Sequence, residues 1–144
     1  MIWKIKLLSV PGVMIISISS LLSQVTGMWK TIDDRNGSEK SIMEIFEQGG
    51  KLHGRIIKLL SEATFTSCDK CPGDLKDKPL VGMVIIHDLT QTETGGTGGS
   101  VMDPKNGRTY SLYVELESPD KLKLRGYIGI PALGRTQYWY RIKT

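Results

Sequence analysis

The sequence predicts an all-β domain, an eight-stranded antiparallel barrel that follows an N-terminal signal peptide. Turn-forming residues recur at short intervals after Gly27, and the runs between them are rich in β-branched and aromatic residues. Eight such runs in about 120 residues fit a barrel that closes on its first strand, with an interior wide enough for side chains or one small ligand. A two-sheet sandwich is the alternative architecture.

Residues 1–23 are typical of a secretory signal peptide. Lys4 and Lys6 precede an uncharged apolar run from residue 7 to residue 22, and Ser23 offers a small residue for cleavage. The run is shorter than the roughly 20 residues that a membrane-spanning helix needs; an uncleaved anchor is the alternative. We therefore expect a periplasmic or secreted protein whose single domain covers residues 24–144, with no stable membrane span after cleavage.

The charge of the chain makes no case for a nucleic-acid partner. The 144 residues include 19 Lys and Arg against 15 Asp and Glu, which gives a net charge of +4. Cleavage after residue 23 removes two of these lysines and lowers the net charge to +2. So small a surplus gives no reason to expect a nucleic-acid partner.

Two segments alternate most regularly and predict a hairpin with one buried face. One face of residues 109–117 carries Tyr110, Leu112, Val114 and Leu116. One face of residues 121–128 carries Leu122, Leu124, Gly126 and Ile128. The other six strands are predicted at residues 28–33, 40–47, 51–60, 80–89, 98–102 and 136–142.

Three segments need an individual interpretation. Residues 38–49 place Ile42, Ile45 and Phe46 at helical spacing, but glycine-containing turns on both sides favour a strand of a hairpin. Apolar residues change face within 51–60, which predicts a β-bulge near Ile56 and Ile57. The glycine-rich run 95–99 lacks the lysine of a phosphate-binding loop and is expected to be a flexible turn.

Five segments in order along the chain, at residues 27–34, 78–83, 103–110, 125–129 and 134–139, resemble the bacterial domain-of-unknown-function family 2147. The resemblance covers residues 27–141. It implies a small exported protein with a lipocalin-like β-barrel and brings no assigned activity with it. Barrels of this type begin with a Gly-x-Trp strand whose indole closes one end beneath an arginine of the last strand. Gly27, Trp29 and Arg141 match these positions, so a structural role is preferred for Trp29.

Cys68 and Cys71 are most simply explained as a disulfide that holds the loop between the third and fourth strands. Two cysteines so close together usually pair in an oxidising compartment. A redox pair would need a helix after the first cysteine, and the flanking residues predict a polar loop instead. Zinc binding with His53 and His87 is a weaker alternative, since the two histidines lie on separate strands.

Catalysis is not expected. Asp33 and Asp34 are adjacent, so their side chains point to opposite faces of a strand and are better explained as turn formers. No serine stands in a nucleophile-elbow motif, and no motif requires a cofactor or a resident metal. We therefore predict a protein that is not an enzyme; activity of the cysteine pair as a redox couple is the one enzymatic alternative.

The remaining hypothesis is ligand binding by aromatic and polar side chains on the last strands, which could line part of the interior. With Trp29 included, the candidate ligand-binding residues are Trp29, Arg125, Tyr127, Gln137, Trp139 and Arg141. The expected partner is a small or amphipathic molecule, or a component of the cell envelope. The alternative is a solid barrel that serves as an interaction or scaffold module for an envelope protein.

Overall fold

The computed structural model describes residues 11–13, 24–60 and 65–143 and confirms a closed antiparallel barrel of eight strands. The strands are β1 Gly27–Ile32, β2 Glu39–Gln48, β3 Lys51–Leu59, β4 Val84–Gln91, β5 Gly95–Asp103, β6 Arg108–Ser118, β7 Lys121–Tyr127 and β8 Arg135–Arg141. Two short 3₁₀ turns, Gly73–Leu75 and Pro131–Leu133, lie in the loops. The predicted signal peptide, apart from residues 11–13, lies outside the described residues. Within the described ranges, no helix is long and apolar enough to cross a membrane.

The barrel closes because β8 pairs with β1, where Thr31 faces Trp139 and Trp29 faces Arg141. Inward positions alternate with outward ones along each strand. The alternation predicted for the β6–β7 hairpin is confirmed for Leu112 and Leu124, whose side chains are buried, but not for Ile128, which lies beyond β7 and is exposed. The core therefore lies inside the barrel, on the face that the apolar residues of these strands share.

The segments that form β2 and β3 are strands, as predicted. β2 is a strand with Met43 and Ile45 buried, although the spacing of its apolar residues also suits a helix. The predicted bulge in β3 is confirmed, because Ile42 pairs with Lys58 while the next residue, Met43, pairs with Ile56. Ile57 is the extra residue, which restores the inward direction of the apolar side chains.

The expectation for the glycine-rich run is wrong, since Gly95 begins β5 instead of forming a flexible turn. The reason is close packing of the backbone. A β-carbon on Gly95 would lie 2.0 Å from the carbonyl oxygen of Val114, and one on Gly99 would lie 2.7 Å from that of His87. Glycine is needed here because any side chain would collide with the neighbouring strand.

One end of the barrel is closed by the predicted stack of an arginine on an indole. The Trp29 side chain is completely buried, and its Nε1–H donates to the carbonyl oxygen of Val25 at 2.9 Å. The guanidinium of Arg141 lies 4.3 Å from the centre of the indole ring. The same guanidinium donates to the carbonyl oxygens of Thr26 at 2.9 Å and Pro119 at 2.8 Å. These contacts tie the segment before β1 to the β6–β7 turn.

Candidate functional site

The barrel encloses a cavity of about 530 Å³. Its lining includes the turns of the end opposite Arg141, namely the β1–β2 and β5–β6 connections. Most of its wall is apolar and includes Met43, Ile56, Leu59, Ile85, Val101, Leu112 and Leu124. The barrel is therefore hollow at one end, which we call the mouth.

One side of the cavity carries polar groups from β1, β2 and β8, and we call Thr31, Ser41, Gln137 and Trp139 the polar wall. These strands are adjacent, and Thr31 pairs with Ser41 on one side and with Trp139 on the other. The Thr31 and Ser41 hydroxyls are 2.8 Å apart, and the backbone N–H of Ser41 donates to Thr31 Oγ1 at 3.1 Å. The two hydroxyls are thus hydrogen-bonded to each other, with one of them as the donor.

Trp139 differs from its neighbours on the polar wall. Its side chain lines the cavity, and the residue is only 5% exposed. Its indole nitrogen is buried and finds no hydrogen-bond partner among the described residues. A buried donor without a partner is uncommon in folded proteins and costs about 1–3 kcal/mol. Trp139 is therefore the residue of the polar wall whose buried hydrogen-bond donor is unused among the described residues.

The mouth is charged, and Asp33 is its most buried ionisable group. The Asp33 carboxylate accepts the backbone N–H of Arg35 at 2.9 Å and lies 3.4 Å from Arg35 Nε and 3.6 Å from Lys105 Nζ. The backbone hydrogen bond from Arg35 lowers the pKa of Asp33, with help from the charges of Lys105 and Arg35, against the opposing effect of burial. Asp33 therefore joins the β1–β2 turn to the β5–β6 turn as an ionised carboxylate.

A second ion pair connects the β1–β2 turn to β8. Arg135 donates from Nε to Asp34 Oδ2 at 2.7 Å, and its Nη2 also contacts Asp34 Oδ1. The side-chain hydrogen bond from Arg135 lowers the pKa of Asp34, and the same bond raises the pKa of Arg135. Asp33 and Asp34 thus serve the turn, as predicted, and also order the mouth.

The long β3–β4 loop reaches the mouth and contains the predicted disulfide. Cys68 and Cys71 are bonded, with α-carbons 5.3 Å apart, and both are buried. Cys68 Sγ lies 3.7 Å from the carbonyl oxygen of Pro104, and Cys71 Sγ lies 3.7 Å from Met102 Sδ. The disulfide therefore packs the β3–β4 loop against the β5–β6 hairpin, beside the opening of the cavity.

The six candidate ligand-binding residues occupy three different places. Gln137 and Trp139 line the cavity, whereas Trp29 and Arg141 form the closed end. The expectation that Arg125 helps to line the interior with Tyr127 is corrected. Both lie on the outer face of β7, because they alternate with Leu124 and Gly126, which line the cavity.

The outward residues have structural contacts of their own. Arg125 donates to Pro131 O at 3.0 Å and to Thr136 Oγ1 at 2.8 Å, which holds the β7–β8 loop. The Tyr127 ring lies 6.5 Å from the ring of Tyr113 on the outer surface. A ligand role for any of the six residues stays a prediction, and only Gln137 and Trp139 are placed to contact a molecule inside the barrel.

Thr31 and Ser41 of the polar wall were missed, although a signal for Thr31 exists. The indole of Trp29 is predicted to close one barrel end, and the period of two along a strand then puts Thr31 and Asp33 on the same face as Trp29. Ser41 has no comparable signal, since it is a polar residue at the start of a strand with uncertain periodicity. Its place follows from its pairing with Thr31.

The alternative zinc set is not assembled. The two cysteines are bonded to each other, and the rings of His53 and His87 lie 6.1 Å apart on strands β3 and β4. Phe46 packs beside His53, with ring centres 5.7 Å apart. Nowhere in the described part of the chain do three His, Cys, Asp or Glu side chains gather to hold a metal ion.

Comparison with known proteins agrees with this architecture. The solved structure of protein HP1028 from the human pathogen Helicobacter pylori, described as belonging to the lipocalin family, superimposes with a TM-score of 0.74. The two sequences are 23% identical, and the match covers 83% of this chain and 84% of that one. At this identity the likeness shows the fold alone. No curated protein matches this sequence.

The family comparison covers nearly the whole barrel. The family described as "Uncharacterized protein conserved in bacteria (DUF2147)" matches residues 27–141, from the first residue of β1 to the last residue of β8. The expected resemblance is thereby confirmed, and the chain belongs to the DUF2147 family.

Proposed function

We propose that this protein binds a small, largely apolar molecule inside the barrel. The observation that carries the proposal is the cavity itself, whose volume of about 530 Å³ lies within the range of about 300–1,000 Å³ typical of ligand sites. An apolar wall faced by a few polar groups is also the usual composition of such sites. The lipocalin-like fold of HP1028 supports the proposal by analogy.

Binding fits the polar groups of the site better than catalysis does. The Thr31 and Ser41 hydroxyls bond to each other, and among the described residues neither is hydrogen-bonded to a base that could activate it. The backbone N–H of Arg35 and the side chain of Arg135 lower the pKa of Asp33 and of Asp34, so near neutral pH both carboxylates have no proton to give and are weak bases. We therefore propose a carrier or sensor of its ligand and not an enzyme.

We further propose that the protein is exported to the periplasm or beyond. The signal-like N-terminal sequence motivates this location, and the Cys68–Cys71 disulfide supports it, because disulfides persist in oxidising compartments. Pulse-labelling of the full chain in a bacterium, followed by fractionation, tests both points. Export predicts a shorter mature protein, cut near residue 23, outside the cytoplasm; an uncut cytoplasmic protein would contradict it.

The ligand-binding proposal is tested directly by native mass spectrometry of protein purified from its own cells without detergent. We expect a reproducible added mass that organic extraction removes. The extracted protein should then bind anilinonaphthalene sulfonate, and an excess of the extracted material should displace this dye. Protein that is always empty and never binds the dye would overturn the proposal.

A second candidate function, contact with another envelope protein, is favoured by one surface feature. Ile128, Ile130 and Leu133 on the β7–β8 loop are 60%, 57% and 77% exposed. Exposed apolar side chains close together can mark an interaction surface. A photo-cross-linking residue at Leu133 should then capture one defined protein in cells, and the same residue at exposed Glu47 should not. Equal or absent cross-linking at both positions would count against this function.

A further inference from the structure

We propose that the molecule in the cavity carries an acceptor oxygen, in a carbonyl or carboxylate group, that receives a hydrogen bond from Trp139 Nε1. This inference rests on the proposed ligand binding and narrows it to a class of ligand. The rest of the molecule is apolar, because it must pack against the apolar wall. Trp139 would then determine which apolar molecules the barrel prefers.

The two buried tryptophans, Trp29 and Trp139, differ in whether their indole N–H has an acceptor. Trp29 Nε1 donates to the carbonyl oxygen of Val25, whereas Trp139 Nε1 has no partner in the described chain. Both residues are at least nine-tenths buried. Buried indole N–H groups ordinarily find an acceptor. A bound molecule is the source that the structure offers for Trp139, because its ring lines the cavity and a small rotation of the ring would bring the buried N–H to the cavity surface.

The neighbours of Trp139 do not supply this acceptor. Thr31 lies directly across from it on β1, but its hydroxyl is already engaged with the hydroxyl and backbone N–H of Ser41. Gln137 lies two residues along β8 on the same inward face and lines the same cavity. Its amide can donate as well as accept, so it can act as a second donor to an oxygen beside Trp139.

The charged residues of the mouth would affect a carboxylate ligand differently from a neutral carbonyl ligand. Arg35, Lys105 and Arg135 line the mouth, and each already pairs with Asp33 or Asp34, so the cations of this end accept carboxylate partners. A carboxylate ligand could therefore place its charge near the mouth, whereas a neutral ketone would depend on the polar wall alone. Both the carboxylate and the ketone offer an acceptor oxygen, so matched ligands of the two types are needed to distinguish them.

The test uses butyrophenone and butylbenzene, which differ by one carbonyl in place of one methylene, and phenylbutyrate as the carboxylate. Affinities are measured by calorimetry for the wild type and for Trp139→Phe, which keeps an aromatic ring but removes the N–H donor. We expect Trp139→Phe to weaken butyrophenone binding about 2- to 13-fold and to change butylbenzene binding less than about twofold. Trp29→Phe, outside the cavity lining, is the matched control and should leave the ratio of the two affinities unchanged.

An NMR measurement on the wild type keeps the proposal testable if Trp139→Phe does not fold. The Trp139 Nε1–H resonance in ¹⁵N-labelled protein should move downfield with butyrophenone or phenylbutyrate and move much less with butylbenzene. A shift with phenylbutyrate alone would identify the carboxylate as the acceptor. Equal weakening of butyrophenone and butylbenzene by Trp139→Phe, or equal shifts with both, would overturn the inference and leave the proposed function standing. Failure of the wild type to bind any of the three ligands or the dye would overturn both.

Discussion

Arg141 illustrates how a single side chain can close a barrel end. Its guanidinium stacks on Trp29 and donates to the carbonyl oxygens of Thr26 and Pro119, which lysine cannot reproduce because it lacks the planar fork of donors. We expect Arg141→Lys to lower the free energy of unfolding by about 2–3 kcal/mol, since hydrogen bonds to charged groups contribute about 1.5–3 kcal/mol each. Urea denaturation measures the change. Arg108→Lys, at an exposed arginine of β6, is the control and should cost less than about 0.5 kcal/mol.

Asp33 makes the stability depend on pH. Because its pKa in the folded protein lies below the ordinary value of 3.8, its ionised form stabilises the fold at any pH above that value. This contribution is lost as the pH falls from 3.8 through the lower pKa of the folded state. We expect Asp33→Asn to cost about 1–2 kcal/mol near pH 7, and the difference from wild type to disappear in strong acid.

Urea denaturation at a series of pH values measures this difference. Asp74→Asn, on an exposed turn, is the matched control and should have little effect at any pH. A cost of Asp33→Asn that stays constant into strong acid would show that the carboxylate charge is not its source.

At this scale, sequence analysis identified Trp29 and Arg141 because their pairing depends on strand positions that a family resemblance preserves. It could not identify the unpartnered nitrogen of Trp139. Whether a buried donor is satisfied depends on residues far away in the chain, such as Thr31, and on how their own hydrogen bonds are used.

At the scale of elements, the docking of the β3–β4 loop on the β5–β6 turn depends on Gly107. This glycine has a φ of +72°, and a β-carbon on it would lie 1.8 Å from the carbonyl oxygen of Lys70, inside the disulfide loop. Gly37 in the β1–β2 turn has nearly the same φ of +73° but open space around it. Substitutions at the two glycines therefore distinguish the cost of backbone strain, which both positions share, from the cost of a steric collision, which only Gly107 has.

We expect Gly37→Ala to cost about 1–2 kcal/mol, which is the price of a left-handed conformation for alanine. Gly107→Ala should cost at least about 2 kcal/mol more, because the loop must also move away from the hairpin. Thermal unfolding gives both values, and hydrogen exchange should show faster exchange in residues 65–80 for Gly107→Ala alone. Equal costs and equal exchange would show that Gly107 does not hold the loop.

The strands divide into those that sequence predicts well and those that it does not. β6 and β7 alternate strictly because each has one face in the core and one in solvent, so their inward residues could be read directly. The start of β5 could not be predicted in this way, because Gly95 and Gly99 are required by the closeness of the neighbouring backbone and not by burial of a side chain. The sequence likewise does not reveal the role of Arg125, because an arginine on an amphipathic strand can donate to a ligand or to a loop, and here it donates to Pro131 of the β7–β8 loop.

At the scale of the whole molecule, closure of the sheet and the hollow at the mouth have different origins. Closure follows from eight strands of suitable length, which the spacing of turns predicts. The cavity depends on where small residues meet large ones inside the barrel. Gly126 lines it from β7, across from Leu112 on β6, and the nearest atom to a β-carbon at this position would be Tyr110 Cβ at 3.8 Å. A β-carbon therefore fits at Gly126, and the rest of a longer side chain would project into the space assigned to the ligand.

Gly126→Leu should consequently fold and bind poorly. Replacing a strand glycine by a larger residue that fits should raise the unfolding free energy of the empty protein by about 0.5–1 kcal/mol. The added side chain should also weaken dye binding at least about tenfold, because it occupies ligand space. Ser111→Leu adds the same side chain to the outer face of β6 and should leave dye binding unchanged.

The wild type should gain about 2.7 kcal/mol of stability at a dye concentration one hundred times Kd, and Gly126→Leu much less at the same concentration. Unchanged binding by a stable Gly126→Leu variant would place the dye outside the barrel, because no site that includes this part of the cavity could tolerate the filling.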